Sequence, residues 1–582
     1  MTLLPFTLQL LFVSENAEEM ETMRTAIRTF AGITGGVLAG VLGLSTALAQ
    51  VTPLDTNHVV IIDRSGSMYG TNLALAQQAA KVYKNTLASS NVPASQSFTE
   101  QIGLASYSDT ASTSYPITPI PASGYDAAVD ALVASGSTSI GAGLEEALDM
   151  LTAANPTKGP RECVVLLSDG QHNTPPAPSD FFLDYFNRVD EVHSIALGAG
   201  ADEAMMSDIA TDFGASPGLY MRADTSTDID QLELLGAFFR MANDCRNGGM
   251  MDQGLTEIPA NMTLCASTLV TAAEIVDFTM LFVGGVAPVV YLKPPSQHPE
   301  DDISETSYAA SISDMTFVSA DNFKRFSLNV TDPLIEDGDW EFCAVNNSPS
   351  PLYLYSAVST LMDNIQLNVT TNGLNVGAQP LTIAAEVTHL GNPVTGATVS
   401  AEMAAPSGAV TSLTFYDDGL AAHADIAAND GVYSTKFNQF AEGGSHQITV
   451  FADHAGNSTV PEFTRQHTFG VYKDPTTVVT CQSLGQAGPA TTATVNGTAC
   501  FQIDPAHYPT GWTPANLWLQ VTAMDGLPLN GVSVSANGGA AQSAAANSWS
   551  MQLSTPFPGA ASPVVYQVST TSSRQLQLAW HP

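Results

Sequence analysis

The stretch Ile61-Ile62-Asp63-Arg64-Ser65-Gly66-Ser67-Met68 closes an apolar run that begins at His58. Such a run reads as a buried strand, which places Asp63, Ser65 and Ser67 at or just beyond its carboxyl end. Their alternate spacing lets one turn aim several oxygens inward, and Gly66 allows the backbone to fold tightly around them. Two distant pieces share this character: Gly136-Ser137-Thr138-Ser139-Ile140-Gly141, and Leu167-Ser168-Asp169-Gly170, which ends another apolar run. In an open, mostly parallel sheet, the loops beyond the strand ends converge on one crevice. Asp63, Ser65, Ser67, Thr138 and Asp169 offer hydroxyl and carboxylate oxygens and neither imidazole nor thiolate, which is the donor set of a hard divalent cation. Two carboxylates leave such a site close to neutral, and an open coordination position would favour a partner's acidic side chain. No His or Lys lies in these loops to activate a serine, so the pattern is a poor one for nucleophilic catalysis.

The triplet Asp63-x-Ser65-x-Ser67, with Thr138 and Asp169 in their own loops, resembles the metal-ion-dependent adhesion site of von Willebrand factor A domains. The resemblance implies that Ser65, Ser67 and Thr138 supply coordinating hydroxyls and that Asp63 and Asp169 hold the ion directly or through water. Mg²⁺ is the expected ion, with Ca²⁺ and Mn²⁺ as alternatives. The surrounding pattern alternates strands and helices: strands at His58 to Ile62, Gln101 to Tyr107, Glu162 to Leu167 and Val192 to Leu197, and helices at Leu73 to Leu87, Gly141 to Leu151, Asp202 to Phe213 and Asp228 to Met241. This predicts a doubly wound, Rossmann-like α/β domain over residues 50–245. Asp109 reads as a second-layer residue or a solvated turn aspartate, Arg64 as a loop arginine facing solvent or a partner, and His172 as a loop histidine outside the ligand set.

Lys and Arg number 18 against 56 Asp and Glu, a formal charge of −38 at pH 7. A chain this acidic repels nucleic acid and anionic membrane surfaces. Charged residues are nevertheless only 13% of the whole and hydrophobic ones 44%, a composition of folded domains rather than of an acidic disordered chain. Residues 1–49 read as a signal peptide region: Arg24 and Arg28 supply positive charge, Phe30 to Leu44 an apolar core, and Ala47-Leu48-Ala49 a small-x-small cleavage site before Gln50. The acidic residues Glu15, Glu18, Glu19 and Glu21 ahead of the basic stretch suggest true initiation at Met20 or Met23. An uncleaved anchor is the alternative.

Beyond Cys245 the helical period fades and Val, Thr, Ser, Gly, Pro and Asn dominate. Short strands separated by turn residues predict a β-sandwich domain over 248–354, an immunoglobulin-like β domain over 363–471 and a C-terminal β domain over 476–582. Trp340 fits a core anchor. Trp512, Trp518, Trp549 and Trp580 fit a small core better than a sugar platform. Asp417-Asp418-Gly419, Asp425 and Asn429-Asp430-Gly431 are compatible with calcium and equally with turns. An A domain followed by these segments and by Val432-Tyr433 loosely resembles the C-terminal part of the calcium-activated chloride channel regulator family, which implies a secreted or cell-surface protein acting on a membrane partner. Many of those proteins also carry a protease unit with a His-Glu-x-x-His motif, and no such motif occurs in this sequence. The six cysteines suit an oxidising compartment. Cys481 and Cys500 flank a turn-rich stretch suited to a local bridge, Cys245 and Cys265 are placed to clamp the domain junction, Cys163 fits as a buried hydrophobe, and Cys343 has no evident mate.

The resulting expectation is a non-enzymatic adhesion or binding protein, secreted, at the cell surface or in the outer envelope. It would recognise an Asp or Glu of an extracellular or envelope protein through the cation, meeting a membrane only through that partner or an uncleaved N-terminal segment. A structural matrix protein, with the metal as loop stabiliser, is the alternative, and a surface-polymer hydrolase a minor one.

Overall fold

The computed structural model describes residues 55–581 except 89–97, 285, 296–301, 309–314, 330–336, 378, 476–481, 486, 504, 509–515, 526, 537–541 and 557–563. The expected signal segment and Cys481 therefore lie outside the described residues, as does Trp512.

The first sheet has the order β3-β2-β1-β4-β5-β6, built from β1 (Thr56–Asp63), β2 (Glu100–Tyr107), β3 (Ala111–Pro119), β4 (Arg161–Ser168), β5 (Glu191–Leu197) and β6 (Ser216–Ala223). All pairs are parallel except β2 with β3. Every residue of β1 is buried, as is β4 apart from Arg161, because a parallel sheet with helices on both faces shields its central strands, whose middles are accordingly apolar. Around the sheet lie α1 (Thr71–Leu87), α2 (Tyr125–Asp130), α3 (Ile140–Ala154), α4 (Phe182–Arg188), α5 (Glu203–Asp212) and α6 (Asp228–Cys245). Helices α1 and α6 pack together, whereas α3 packs on β1, β2 and β3. A reciprocal cap starts α6: Thr227 Oγ1 accepts from Asp230 N while the Asp230 side chain accepts from Thr227 N.

Two strands here escape the sequence pattern. The β3 sequence is rich in Ser, Thr and Pro and has no buried residue, as an edge strand can be. The β6 strand opens with Ser216-Pro217-Gly218, a turn signal, and Pro is tolerated there because β6 is the opposite edge.

Chain order matters for the site. Strand β1 is flanked by β2 on one side and β4 on the other, so the strand order reverses between β1 and β4, where crevices open beyond the carboxyl ends.

The remainder is β structure, in agreement with the expected sandwich and immunoglobulin-like regions. A nine-stranded sheet runs, in spatial order, through Met315–Ala320, Phe323–Asn329, Ala273–Phe282, Leu352–Asp363, Gly249–Ile258, Glu462–Lys473, Gly444–Ala455, Thr398–Ala404 and Val410–Thr414. It therefore draws strands from both sides of Asp363, and the two groups meet where Gly249–Ile258 pairs with Glu462–Lys473. A smaller sheet carries Val289–Lys293, Gly338–Val345 and Thr263–Val270, and an apolar core containing Phe278, Phe326, Trp340 and Phe342 fills the space between. Trp340 is 1% exposed and its ring centroid lies 5.9 Å from that of Phe278. A third sheet joins Leu381–His389 to Ile365–Thr371 and Val432–Phe437. The C-terminal sheet encloses its own core, in which Trp580 is buried. Trp518 and Trp549 are exposed, against the expectation that the tryptophans fill that core. Alternation accounts for Trp518, whose neighbours Leu517 and Leu519 point inward.

The cysteine pairing also differs from expectation. Cys163 in β4 is bonded to Cys245 at the end of α6, and Cys265 to Cys343. The second pair sits directly opposite in register on adjacent antiparallel strands, so Cys343 has a mate and Cys245 does not reach Cys265. Cys163 is buried, but as half of a disulfide. Cys500 is also disulfide-bonded.

Candidate metal centre

Asp63 ends β1 and is fully buried. Its Oδ1 accepts from Ser65 N at 2.7 Å and its Oδ2 from Ser168 Oγ at 2.8 Å, so the last residue of β4 fixes the last residue of β1. Burial pushes the Asp63 carboxyl up to about 6, partly countered by the Ser65 and Ser168 hydrogen bonds, because few charges of opposite sign surround it. Beyond it, a single 3₁₀ turn, Gly66–Met68, carries Ser67 into the crevice. Ser65 Oγ lies 3.0 Å from Ser67 Oγ, and Ser67 Oγ donates to Asp169 Oδ1 at 2.6 Å. Asp169 Oδ2 accepts from Asn72 Nδ2 at 3.0 Å, and Asn72 in turn accepts from Thr225 Oγ1 at 2.8 Å. The opening turn of α1 and the loop after β6 thus orient the Asp169 carboxylate, roles that were not legible in the motif.

Thr138 arrives from the third loop. Its N–H donates to Asn173 Oδ1 at 3.0 Å and its carbonyl accepts from Asn173 N at 3.0 Å, which ties it to the loop carrying Asp169. A methyl group placed on Gly170 would stand 3.3 Å from Thr138 Oγ1 and 3.6 Å from Ser67 Oγ, so these two hydroxyls face one small space that the absent side chain of Gly170 leaves open. The five expected residues are therefore brought together, four of them buried and Ser67 exposed at the mouth. Asp109 acts from behind: its carboxylate accepts from Ser137 N at 3.0 Å, and that bond holds its pKa below the usual range. Arg64 serves through its main chain: its N–H donates to Tyr107 O and its carbonyl accepts from Ser135 N, which joins the loop after β1 to the end of β2 and to the Thr138 loop. His172 is half-buried, burial lowers its pKa, and it makes no contact with the five residues among the hydrogen bonds described.

This donor set fits a hard cation: two carboxylates and three hydroxyls in a pocket with neither imidazole nor thiolate. Elsewhere among the described residues, His58, Cys163 and Cys245 approach one another, as do Cys163, Glu191 and His193, and Cys265, Glu341 and Cys343. All four of those sulfurs are in disulfides, which lack the thiolate a metal requires.

Residues 58–171 match the von Willebrand factor type A domain family. The α/β domain is a von Willebrand factor type A domain. Residues 357–470 match the conditioned medium factor second Ig-like domain. The chain is 25% identical over 411 residues to calcium-activated chloride channel regulator 1 of Equus caballus, an alignment covering 68% of this chain and 40% of that protein. The human protein of that name is 26% identical over 330 residues, 55% of this chain and 33% of that protein. The homology is distant, and the chain spans 40% or less of the length of these relatives. Among solved structures, a von Willebrand factor type A protein from Catenulispora acidiphila aligns at 16% identity and a TM-score of 0.28 over 58% of this chain and 65% of that one. Proximal thread matrix protein 1 from the mussel byssus, solved with its own MIDAS motif occupied by zinc, aligns at 19% identity and a TM-score of 0.26 over 34% of this chain and 47% of that one.

Proposed function

We propose that the chain is a non-catalytic, secreted or surface-attached binding protein whose A domain holds Mg²⁺ on Ser65, Ser67 and Thr138, with Asp63 and Asp169 bound directly or through water. The ion completes its coordination with an Asp or Glu of an extracellular partner protein. The single observation that carries this reading is the convergence of Ser67 Oγ, Thr138 Oγ1 and the Asp169 carboxylate on the space beside Gly170. A bound cation supplies directional attraction for a carboxylate, and the mouth at Ser67 is open to solvent, so a partner side chain can reach it. Secretion is supported by the disulfides and by the N-terminal signal pattern. Among the described residues no helix is long and apolar enough to cross a membrane.

The test is a pull-down from envelope and extracellular fractions of the producing organism, run in Mg²⁺, in EDTA and with Asp63→Ala. A protein retained only by the intact chain in Mg²⁺ supports the reading. Retention that is equal in all three conditions moves recognition to the β domains and leaves the cation, if bound, as a stabiliser of the loops.

A further inference from the structure

Far along the chain, the strand Val410–Thr414 and the strand Val432–Phe437 belong to different sheets, yet the chain between them closes on itself. Tyr416 N donates to Ser434 O and Ser434 N to Tyr416 O, at 3.0 and 2.8 Å, so residues 417–433 form an excursion pinned at its neck. Three aspartates from its start, middle and end come together. Asp417 draws the end back to the start, its two oxygens accepting from Asp430 N at 3.1 Å and Gly431 N at 3.2 Å. Asp425 reaches back from the middle, its Oδ2 accepting from Gly419 N at 2.5 Å. Carboxylate oxygens of Asp417, Asp425 and Asp430 lie within 4.8 Å of one another.

Turn formation explains part of this composition. Asp418 Oδ1 accepts from Leu420 N and Asp430 Oδ1 from Val432 N, two residues on in each case, as turn-forming aspartates do. It does not explain Asp425. That residue is 5% exposed, and its Oδ1 is buried with no hydrogen-bond partner. Stranding a buried carboxylate oxygen without a partner is destabilising. Charge compounds the cost. Among the described residues no Lys or Arg pairs with any of the three carboxylates; the nearby His423 lies with its Nδ1 2.9 Å from Asp418 Oδ2 instead. Like charges gathered this closely repel one another.

We propose that Asp417, Asp425 and Asp430 form a second divalent-cation site, suited to Ca²⁺ and separate from the A-domain centre. A cation removes both penalties at once: it gives Asp425 Oδ1 a partner and neutralises the cluster. All candidate donors are oxygens, and they lie on an irregular loop with Gly419, Asn429 and Gly431 at positive φ. Irregular, all-oxygen, carboxylate-rich loops suit Ca²⁺, which accepts six to eight ligands in flexible geometry, better than Mg²⁺ or Zn²⁺. Binding would fasten the excursion onto the immunoglobulin-like region and thereby fix the exposed Leu420 and Ile426 it presents. The proposal stands or falls independently of the reading of the A domain.

The experiment is calorimetric titration of CaCl₂ into the full chain carrying Asp63→Ala, which silences the A-domain centre. We expect one Ca²⁺ bound with a Kd of about 10⁻⁴–10⁻³ M, the range of extracellular modules. Adding Asp425→Asn, or Asp430→Asn, should weaken it by at least about tenfold by removing one of three attracting charges. Asp430 is exposed and an Asn there can still accept from Val432 N, so that variant keeps the test valid where the buried Asp425→Asn fails to fold. No heat in the Asp63→Ala chain up to about 10 mM CaCl₂, well above that range, overturns the proposal. So does Ca²⁺ binding that both double variants retain undiminished.

Discussion

Ser67 Oγ donates to Asp169 Oδ1 across 2.6 Å although 102 residues of chain separate them. The bond joins the loop after β1 to the loop after β4, and in the proposed site Ser67 would turn to the cation while Asp169 holds it directly or through water. Adding Mg²⁺ should therefore exchange a hydroxyl–carboxylate hydrogen bond for ionic coordination and tighten the same two loops. With Mg²⁺ at about 100 times its Kd, stabilisation is about 2.7 kcal/mol, or roughly 5–10 °C in melting temperature for a domain of this size. We expect that shift in scanning calorimetry of the intact chain, its loss in EDTA, and its absence from Asp63→Ala in either condition. An equal Mg²⁺ response in Asp63→Ala would place the ion elsewhere.

The Cys163–Cys245 bond fastens the end of α6 to β4, the strand that delivers Asp169. Helix α6 is further held by Arg246, which follows it and donates to Glu100 Oε1 at 2.9 Å and to Thr86 O at 2.8 Å. Such fastening opposes large displacement of the last helix during ligand binding. The bond closes a loop of 82 residues, worth about 4 kcal/mol in the chain-entropy account. The double variant Cys163→Ser/Cys245→Ser should lose stability of that order in urea unfolding while Mg²⁺ affinity changes little. A large loss of affinity would mean that the disulfide sets the site itself.

How much of this was legible depended on whether function or packing dictated the residues. The gathering of Asp63, Ser65, Ser67, Thr138 and Asp169 could be anticipated because two of the three loops follow strand ends, where apolar runs stop abruptly at Asp63 and Ser168-Asp169, and because oxygen chemistry restricts the residue types. The supporting residues Asn72, Asn173 and Thr225 carried no such signal: each is an ordinary loop or helix-start residue until the fold brings it near. Strands β3 and β6 were hidden by edge chemistry, which tolerates Pro and polar residues. Disulfide pairing was illegible because Cys163 and Cys245 meet only through the packing of α6 on the sheet, whereas sequence proximity favoured Cys245 with Cys265. The nine-stranded sheet was illegible too, since strand pairing across Asp363 depends on register between segments more than a hundred residues apart, as between Gln466 and Met250.

At that join, Arg465 and Asp363 form a buried bidentate pair, Nε to Oδ2 at 2.6 Å and Nη2 to Oδ1 at 2.8 Å, with 1% and 3% of their side chains exposed. Arg465 Nη2 also donates to Thr271 O, so one guanidinium ties the strand Glu462–Lys473 to two segments of the sandwich region. Arg465→Met should cost about 3–5 kcal/mol, since it leaves a buried carboxylate without its partner. The double variant Arg465→Met/Asp363→Leu should recover much of that loss, because it removes the stranded charge as well. Urea midpoints of the two variants measure this; equal destabilisation would show that the pair's charge is not what matters.

His193 in β5 gives the clearest acid response. It is fully buried, its Nδ1 accepts from Leu219 N at 2.7 Å, and burial, reinforced by the charges of Arg161, His58 and His467, lowers its pKa to about 3. Cys245 Sγ lies 3.2 Å from its Nε2, with Glu191 and Asp244 carboxylate oxygens at 3.7 and 3.9 Å. Between pH 3 and 6.5 the unfolded chain takes up a proton that the folded chain refuses. The stabilisation is therefore complete above pH 6.5 and declines as pH falls, by on the order of 1 kcal/mol per pH unit. Burial raises the pKa of Glu191 and Asp244, and those carboxyls act in the opposite sense, losing stability as pH rises. The comparison with His193→Gln isolates the histidine, since Gln can still accept from Leu219 N but does not titrate. Urea midpoints from pH 4.5 to 7 should show a slope against pH that is less positive in the variant by up to one proton; identical slopes would mean that the buried ring is not the group the acid reaches.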